Sequence, residues 1–349
     1  MIQIPNLRTR YAPTPSGYLH IGNSWSFLLT WLWARSQGGS IHLRIDDLDS
    51  NRFRKEYLDD IFTSLEWLGF DWDTGPKNSE DFLKNYSQQR NHCEYRQALD
   101  VLMQKNLSDQ LFLYTCNCTR KQLINRSESN YHATLYPKTC QYKNLPLEPA
   151  PLWQSGKGSM SLQSHLAIRF SLLGDKKVFM HSHFSTETIL HPSEELGDFI
   201  IWQKNGKASY HFASVLDDER LGINFVVRGR DLLASTSGQL YLAAFLNAHT
   251  FEKAIFFHHG LVLANSEEKI SKSNWFNHSW TLKSWRENGG SSEKLFYHFA
   301  KYLGMEMGDR TGNFGDAKGK ISLQDLLKEF DPNKCSLNDL SAEAFTMLN

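Results

Sequence analysis

The sequence lacks any long apolar run, and no uninterrupted hydrophobic stretch approaches the roughly 20 residues that a membrane-spanning helix needs. Its first ten residues also lack the apolar core of a secretory signal peptide. Net charge is absent too, because 38 Lys and Arg residues balance 38 Asp and Glu residues. We therefore expect a cytoplasmic protein with no membrane partner, which binds nucleic acid, if at all, through a local basic face.

Cysteine is scarce, with five residues in a chain of 349. Three of the five, Cys116, Cys118 and Cys140, nevertheless lie in one short segment. In a chain expected to be intracellular, this spacing favours a metal site over disulfide bonds. Cys93 and Cys335 have no neighbouring cysteine, and we expect them to be packed residues.

Strand and helix patterns alternate near the start of the chain. Thr9–Ala12 and Ile41–Ile45 are predicted strands, and Ser24–Ser36 is a predicted helix that Ser24 caps and that ends near Gly38. Glu56–Leu68 is a second amphipathic helix. A β-α-β unit of this kind predicts an α/β fold with a parallel, Rossmann-like sheet.

Later segments predict a polar insertion over residues 119–158, which contains four prolines, and then further strands. The stretch "DFIIWQKNGKASYHF" predicts a hairpin with Asn205 and Gly206 at its turn. The residues after "EEKISKS" are predicted to form a helical tail.

The stretch "YAPTPSGYLHIGN" delivers a histidine to a predicted helix start. Backbone N–H groups at such a start attract phosphate, and Gly17 and Gly22 allow the main chain to approach a ligand closely. His20 would lie beside that ligand and donate to a developing negative charge. Taken alone, the stretch fits equally well a turn with a packed histidine.

A second motif, "KISKS", spans Lys269 to Ser273. Its two lysines, Lys269 and Lys272, suit a loop that closes on a triphosphate, although a lone Lys/Ser run is often only a solvated loop. Both motifs in this order, on an α/β pattern, favour nucleotide binding.

The two motifs resemble the HIGH and KMSKS signatures of the class I aminoacyl-tRNA synthetases. The resemblance extends to the glutamyl branch through "LRIDDLD", "WLGFDWDTGP" and "YHFASVLDDERLGINFVVRGRDLL", and it covers roughly residues 8–275. It implies a Rossmann-like catalytic domain that activates L-glutamate with ATP and Mg²⁺. It implies catalytic roles for His20, Asn23, Lys269 and Lys272, and ATP contacts from Gly17, His20, Gly22 and Lys272.

The resemblance also implies a glutamate pocket. Arg10 matches the arginine that binds the substrate carboxylate, and Asp46 matches the acidic residue that holds the α-ammonium. Tyr210 and Arg228 match the remaining contacts with the amino acid. Two arginines can form charge-assisted pairs with a carboxylate, so the site selects glutamate over glutamine. The strand-turn that carries Arg10 contributes Tyr11, Ala12, Pro13 and Thr14.

Two positions depart from the family pattern. Asn23 replaces the second histidine of HIGH, so it can donate a hydrogen bond but carries no charge. Asp46 is one methylene shorter than the usual glutamate and resembles the glutaminyl branch, whereas the arginine of "VVRG" resembles the glutamyl branch.

The family's structural zinc site has the order C-x-C…Y-x-x-x-C, which Cys116, Cys118, Tyr136 and Cys140 match. The loop before Tyr136 is longer than the resemblance leads us to expect, which leaves Tyr131, His132 or a water as alternative fourth ligands. Without the family match, three buried thiols would also fit the spacing.

Only 76 residues follow Ser273, so we expect no anticodon-binding domain. This resembles the glutamyl-Q tRNA(Asp) synthetases, which attach glutamate to queuosine in the anticodon of tRNA(Asp). The alternatives are a short glutamyl-tRNA synthetase that charges a tRNA 3′ end and a non-catalytic paralogue. We expect a monomer with two catalytic halves at 1–105 and 191–265, an inserted acceptor and zinc-binding module at 106–190, and a KISKS loop with a helical stem-contact region at 266–349.

Overall fold

A computed structural model describes residues 3–108, 112–124, 135–143, 145–147, 166–174, 176–183, 187–263, 280–305, 321–334 and 339–341. Contacts between Cα atoms divide the chain into two compact units. Unit 1 comprises residues 1–88, 223–231 and 255–349, and unit 2 comprises residues 89–222 and 232–254. Among the helices that the structure describes, none is long and apolar enough to cross a membrane.

The secondary-structure elements alternate along much of the chain. The α-helices are α1 (Ile21–Ser36), α2 (Lys55–Leu68), α3 (Ser79–Asp81), α4 (His92–Ser108), α5 (Arg120–Ile124), α6 (Pro192–Glu195), α7 (Tyr210–Arg220), α8 (Leu233–Leu246), α9 (His249–Glu252), α10 (Leu282–Glu287), α11 (Ser292–Tyr302) and α12 (Leu323–Glu329). The strands are β1 (Arg8–Tyr11), β2 (Ser40–Leu43), β3 (Leu113–Cys116), β4 (Ala167–Phe170), β5 (Val178–Ser182), β6 (Thr188–Leu190), β7 (Phe199–Trp202), β8 (Phe225–Gly229), β9 (Ile255–His259), β10 (Val262–Leu263) and β11 (Leu340–Ser341).

Unit 1 is built on parallel strand pairs. Strand β1 pairs with β2, and β8 pairs with β9, both in parallel. The N–H of Asn224 donates to the carbonyl of Arg8 over 3.1 Å, so β1 and β8 start side by side. The predicted parallel α/β architecture is confirmed, and the reason is the connection of β1 to β2 through a helix.

Helix α1 connects β1 to β2 and is almost wholly buried. Its Trp33 ring lies 5.1 Å from Phe225 of β8 and 5.9 Å from Phe257 of β9, measured between ring centroids. The predicted start at Ser24 is wrong, because the helix begins at Ile21. The side chain of Asn23 accepts a hydrogen bond from the His20 N–H over 3.0 Å and so closes the first turn.

Helix α2 buries an apolar stripe at positions 57, 58, 61, 65 and 68, and Gly69 ends it in the left-handed region with φ 71°. A buried ion pair with Asp60 attaches Arg286 of α10 to this helix. Arg286 also donates to the Ser64 hydroxyl over 2.7 Å. The helical tail predicted from the sequence is thus present as α10, α11 and α12 in the described residues.

Unit 2 contains antiparallel pairs in the residues described. Strand β4 lies between β3 and β7 and is antiparallel to both, and β5 pairs with β6. The ring of Phe170 lies 5.1 Å from Phe245 of α8 and 5.7 Å from Phe199 of β7, so one helix covers the sheet.

The predicted hairpin around Asn205 and Gly206 is only half right. The turn forms, with Gly206 at φ 77°, and Trp202 bridges to Ala208 in an antiparallel sense. The residues after it form helix α7 instead of a strand, because the Ser209 hydroxyl caps the helix by accepting from the Phe212 N–H over 3.4 Å.

Candidate active site and candidate metal centre

The segments that follow β1 and β2 stay paired beyond the strands themselves. The Arg44 N–H donates to the Tyr11 carbonyl, and the Asp46 N–H donates to the Pro13 carbonyl, each over 2.9 Å. The carboxyl ends of parallel strands are the usual place for ligands in open α/β sheets. Four of the predicted glutamate-site residues therefore lie in a backbone arrangement that suits a ligand: Tyr11, Ala12, Pro13 and Thr14.

Both predicted substrate arginines lie near the carboxyl ends of strands in unit 1. Arg10 and Arg228 are only 6% and 5% exposed. The guanidinium of Arg228 lies 5.2 Å from the centroid of the Phe256 ring. On β9 opposite Arg228 stands His258, and burial followed by the charge of Arg228 lowers the pKa of His258 to about 3. His258 is therefore neutral beside the arginine at neutral pH.

Asp46, predicted to hold the substrate α-ammonium, is in a two-point ion pair with Arg44. Nε of Arg44 lies 2.7 Å from Oδ1, and Nη2 lies 3.1 Å from Oδ2. Both side chains are largely buried, at 5% and 11% exposed. Sequence reasoning did not single out Arg44, although its position two residues before Asp46 on an extended segment was a signal that the two share a face.

The Tyr11 side chain belongs to the core. Its ring is fully buried and lies 5.2 Å from Phe27 and 6.1 Å from Phe70. Burial, with the nearby Asp71 carboxylate, raises the pKa of Tyr11 well above its ordinary value, so the hydroxyl stays neutral. Tyr11 can therefore contact a ligand through its backbone. Ala12 and Thr14 are half-buried.

His20 and Asn23 meet at the first turn of α1, where the sequence predicts a phosphate contact. Asn23 uses its side-chain oxygen for the His20 N–H, and among the described residues its amide nitrogen has no partner. Gly22 packs closely against His20, because a Cβ at this position would lie 3.0 Å from two atoms of the His20 ring. Gly17 is buried in the turn that precedes the helix.

One predicted substrate residue belongs to unit 2, and several other predicted residues are outside those that the structure describes. Tyr210 is the first residue of α7 in unit 2 and is 39% exposed, with its ring edge-on to His211. Lys269 and Lys272 of the KISKS motif lie outside the described residues, as do Tyr131 and His132.

The four predicted metal ligands come together in unit 2. The sulfurs of Cys116, Cys118 and Cys140 all lie within 4.8 Å of one another. The Tyr136 hydroxyl is 3.2 Å from the Cys116 sulfur and 3.6 Å from the Cys118 sulfur. Zinc–sulfur bonds of about 2.3 Å in a tetrahedron place two thiolates about 3.8 Å apart, and the Cys118 and Cys140 sulfurs are 3.5 Å apart. The donor set thus fits Zn²⁺.

Electrostatics at this cluster favour a thiolate. Burial opposes the charge on Cys140, but hydrogen bonds from the Tyr136 hydroxyl and the Asn117 backbone outweigh it and lower the pKa of Cys140 to about 6. Burial and the hydrogen bonds to the cysteines raise the pKa of Tyr136 above its ordinary value. The guanidinium of Arg169 lies 3.5 Å from the centre of the Tyr136 ring and fixes the ring in place, a contact that the sequence did not reveal.

The sequence prediction for Cys93 is wrong. It was expected to be packed, but it is exposed on the first turn of α4. Cys335 lies outside the described residues.

A family model described as the catalytic domain of class I tRNA synthetases for glutamate and glutamine (E and Q) matches residues 6–338. The chain belongs to this family. The match covers the strand-turn with Arg10, the α1 start and the cysteine cluster, so all of the described candidate residues fall within the family's catalytic domain.

Relatives of the family include two kinds of enzyme. The glutamyl-Q tRNA(Asp) synthetase of Nitratidesulfovibrio vulgaris is 32% identical over 305 residues, which cover 86% of this chain and 87% of that protein. The glutamate–tRNA ligase of Coprothermobacter proteolyticus is 29% identical over 336 residues, which cover 95% of this chain and 64% of that protein. This chain therefore spans just under two thirds of the length of that ligase.

A solved structure supports the family fold. The crystal structure of a glutamate tRNA ligase from Elizabethkingia meningosepticum, in complex with its amino acid, superposes with a TM-score of 0.70 at 21% identity. The match covers 99% of this chain and 69% of that one. At this identity the likeness concerns the fold alone.

Proposed function

We propose that this protein activates L-glutamate with ATP to glutamyl-adenylate and transfers the glutamate to queuosine in the anticodon of tRNA(Asp). The observation that carries the proposal is the match to the glutamyl-Q tRNA(Asp) synthetase of Nitratidesulfovibrio vulgaris, which runs over 86% of this chain and 87% of that protein. The buried arginines of β1 and β8 and the paired carboxylate in the segment after β2 suit an acidic amino acid.

The proposed glutamate pocket uses charge at both ends of the substrate. Arg10 and Arg228 bind its side-chain carboxylate, and Asp46, oriented by Arg44, accepts its α-ammonium. The family resemblance assigns Tyr210 a further contact with the substrate. A neutral glutamine side chain would leave a buried arginine unsatisfied, which is the basis of selection for glutamate.

In the proposed first step, the α-carboxylate of glutamate attacks the α-phosphorus of ATP, and pyrophosphate leaves. His20 and the amide nitrogen of Asn23 donate to the phosphates at the start of α1, where Gly17 and Gly22 allow close approach. Lys269 and Lys272 neutralise the leaving pyrophosphate, and Mg²⁺ supplies further charge. The protein positions and neutralises, so no side-chain nucleophile is required.

In the second step, a hydroxyl of the queuosine cyclopentenediol attacks the carbonyl of glutamyl-adenylate, and AMP leaves.

Cys116, Cys118, Tyr136 and Cys140 would hold a structural Zn²⁺ that stabilises the inserted module at 106–190. The remaining organisation that we propose is two catalytic halves, a C-terminal stem-contact region and a monomeric protein that works in the cytoplasm, where ATP and tRNA are found.

A second candidate function is charging of a tRNA 3′ end with glutamate. The observation in its favour is the glutamate–tRNA ligase 2 of Syntrophus aciditrophicus, which is 32% identical over 327 residues, 93% of this chain and 61% of that protein. Sequence identity does not separate the two functions. A non-catalytic paralogue is the third alternative.

The experiment that tests the proposal follows radioactive glutamate onto tRNA. One tRNA(Asp) preparation contains queuosine but has its 3′-terminal adenosine removed, and the other has an intact 3′ end but comes from cells that do not make queuosine. We expect glutamate only on the first. Glutamate only on the second preparation, which has the intact 3′ end, would refute the proposal and favour charging of the tRNA 3′ end.

Lys272→Ala tests the phosphate role of the KISKS motif. We expect adenylate formation to fall by at least about 100-fold with folding unchanged, because the variant loses a charge on the transferring phosphates. Lys328→Ala, which removes an exposed lysine of α12, is the matched control. Full activity in Lys272→Ala would contradict the assigned role.

A further inference from the structure

Two aromatic side chains of β9 lie beside Arg228, the buried arginine of β8. In the parallel pairing of the two strands, Arg228 is opposite His258. Phe256 precedes His258 by two positions, so both side chains point to the same face of the sheet. The Phe256 and His258 rings are nearly parallel, with an interplanar angle of 10° and 6.1 Å between their centroids. This distance is in the range of offset-stacked aromatic pairs.

The guanidinium of Arg228 contacts the Phe256 ring. Its central carbon lies over the ring, 5.2 Å from the centroid, and cations are attracted to aromatic faces at this distance. Arg228 is 5% exposed and Phe256 is 1% exposed, so little water screens the attraction. Phe256 and His258, here named the β9 stack, therefore form one aromatic support for the guanidinium.

His258 adds no charge to this arrangement at neutral pH. Burial, followed by the charge of Arg228, lowers the pKa of its imidazole to about 3. A protonated imidazole at this position would repel the guanidinium, whereas the neutral ring stacks without that repulsion. At neutral pH both members of the β9 stack are therefore uncharged aromatic rings.

An aromatic support suits an arginine that has to bind a carboxylate. The attraction between a cation and a ring face needs no hydrogen bond, so the N–H donors of the guanidinium can serve another partner. A carboxylate in place of the ring would also hold the guanidinium, but it would compete with the substrate for the same charge and donors. A ring that restrains the arginine beforehand also removes part of the side-chain entropy that substrate binding would otherwise cost.

We propose that Phe256 and His258 are positioning residues for Arg228, and that they hold its guanidinium ready for the side-chain carboxylate of glutamate. The inference rests on the proposed function, in which Arg228 binds that carboxylate. Neither ring needs to touch the substrate. Loss of the β9 stack should therefore weaken the affinity for glutamate and leave the affinity for ATP unchanged.

The test compares Phe256→Leu with Phe257→Leu in glutamate-dependent ATP–pyrophosphate exchange. Phe257 is the next residue of β9 and is equally buried, but it points to the other face of the sheet, where its ring lies 5.9 Å from that of Trp33. We expect Phe256→Leu to raise the KM for glutamate about tenfold and to change the KM for ATP by less than about twofold. Phe257→Leu should leave both KM values as in the parent protein.

Both substitutions remove ring atoms from a buried position, so melting temperatures are measured on the same samples. We expect similar losses of stability in the two variants. A KM for glutamate that rises equally in both variants, or that rises only in parallel with the KM for ATP, would indicate a general effect on the fold and overturn the positioning role.

His258 provides a second test that leaves Phe256 in place. His258→Leu loses the aromatic pair, and it should raise the KM for glutamate about threefold. His258→Phe, the conservative variant, keeps an uncharged flat ring against Phe256 and should rescue most of that increase. Equal increases in the two variants would overturn the role of stacking at this position.

The parent protein separates this inference from the proposed function. Exchange in the parent without tRNA, together with equal KM values for glutamate in the parent and Phe256→Leu, would overturn the role of the β9 stack alone. Exchange that requires added tRNA(Glu) would overturn the proposed function, and the same KM comparison made with that tRNA present would still decide the positioning role. No exchange in the parent under either condition would overturn both.

Discussion

Arg44 forms a two-point ion pair with Asp46, the carboxylate that we propose for the substrate α-ammonium, through contacts of 2.7 and 3.1 Å. A forked pair fixes the plane of a carboxylate as well as its charge. The remaining lone pairs of Asp46 therefore have a defined direction. Arg44 is in this sense a positioning residue for a site in which it does not need to touch the substrate.

Replacing Arg44 tests that positioning role. Arg44→Lys keeps the charge but loses the fork, so we expect the KM for glutamate in the exchange reaction to rise about tenfold with a smaller change in kcat. Asp46→Asn removes the charge itself and should have the larger effect. Arg52→Lys is the matched control, because Arg52 pairs with Asp49 at the surface. Equal KM values for Arg44→Lys and the parent protein would refute the role.

Gly22 and Gly38 lie at opposite ends of α1, and replacing each with alanine tests activity and stability separately. Gly22→Ala should raise or keep thermal stability, because alanine is the better helix former by about 0.5 to 1 kcal/mol, yet lower the exchange rate by displacing the His20 ring. Gly38 has φ 64° and open space around it, so Gly38→Ala should lower stability by about 1 kcal/mol and leave exchange intact. Melting curves and exchange rates measured on the same samples check both expectations. An unchanged exchange rate in Gly22→Ala would contradict a role for the His20 ring position.

The cysteine cluster predicts the zinc content of the purified protein. We expect about one zinc ion per chain. Cys140→Ser should lose most of it and unfold at a lower temperature, whereas Cys93→Ser, which changes an exposed cysteine, should retain it. Tyr136→Phe removes the fourth donor but none of the thiols, so we expect weaker retention during dialysis against a chelator. Metal analysis of the dialysed proteins gives the answer, and equal zinc in the parent protein and Cys140→Ser would exclude this site.

Helix α2 carries one buried and one exposed ion pair, which makes it a matched test of how the C-terminal helices contribute to stability. Asp60 and Arg286 have side chains that are 7% and 16% exposed, whereas Lys55 and Asp59 are 64% and 46% exposed. Arg286→Ala leaves a buried carboxylate without its partner and should lower the free energy of unfolding by about 3 kcal/mol. Lys55→Ala should lower it by less than about 1 kcal/mol. Urea unfolding curves distinguish the two, and similar losses would mean that the buried pair adds nothing.

The parts of the fold that could be predicted are those with a local signal. Alternating strand and helix patterns predicted β1, α1 and β2, and the spacing of three cysteines predicted the cysteine cluster. In both cases the signal lies in residues that are close together in the sequence. The start of α1 was misplaced because Ser24 has the chemistry of a cap, yet Asn23 closes the turn. The start of α7 was missed because an Asn-Gly turn predicts a hairpin, while the Ser209 cap acts one turn later.

The contacts that could not be predicted join residues far apart in the sequence. Lys143 and Lys204 are separated by 61 positions, yet both donate hydrogen bonds to Asn117. Arg169 reaches Tyr136 because β4 pairs with β3, next to the cysteines. No periodicity or motif marks such pairs, since their proximity depends on strand register and not on local chemistry.

Glutamate-dependent ATP–pyrophosphate exchange without tRNA is the most direct test of the proposed activity. Ordinary glutamyl-tRNA synthetases require tRNA to activate glutamate, whereas the queuosine-modifying paralogues do not, as the family resemblance implies. We expect exchange with glutamate, no exchange with glutamine, and no requirement for tRNA. Exchange that appears only after tRNA(Glu) is added would refute the proposed function and identify a short charging enzyme.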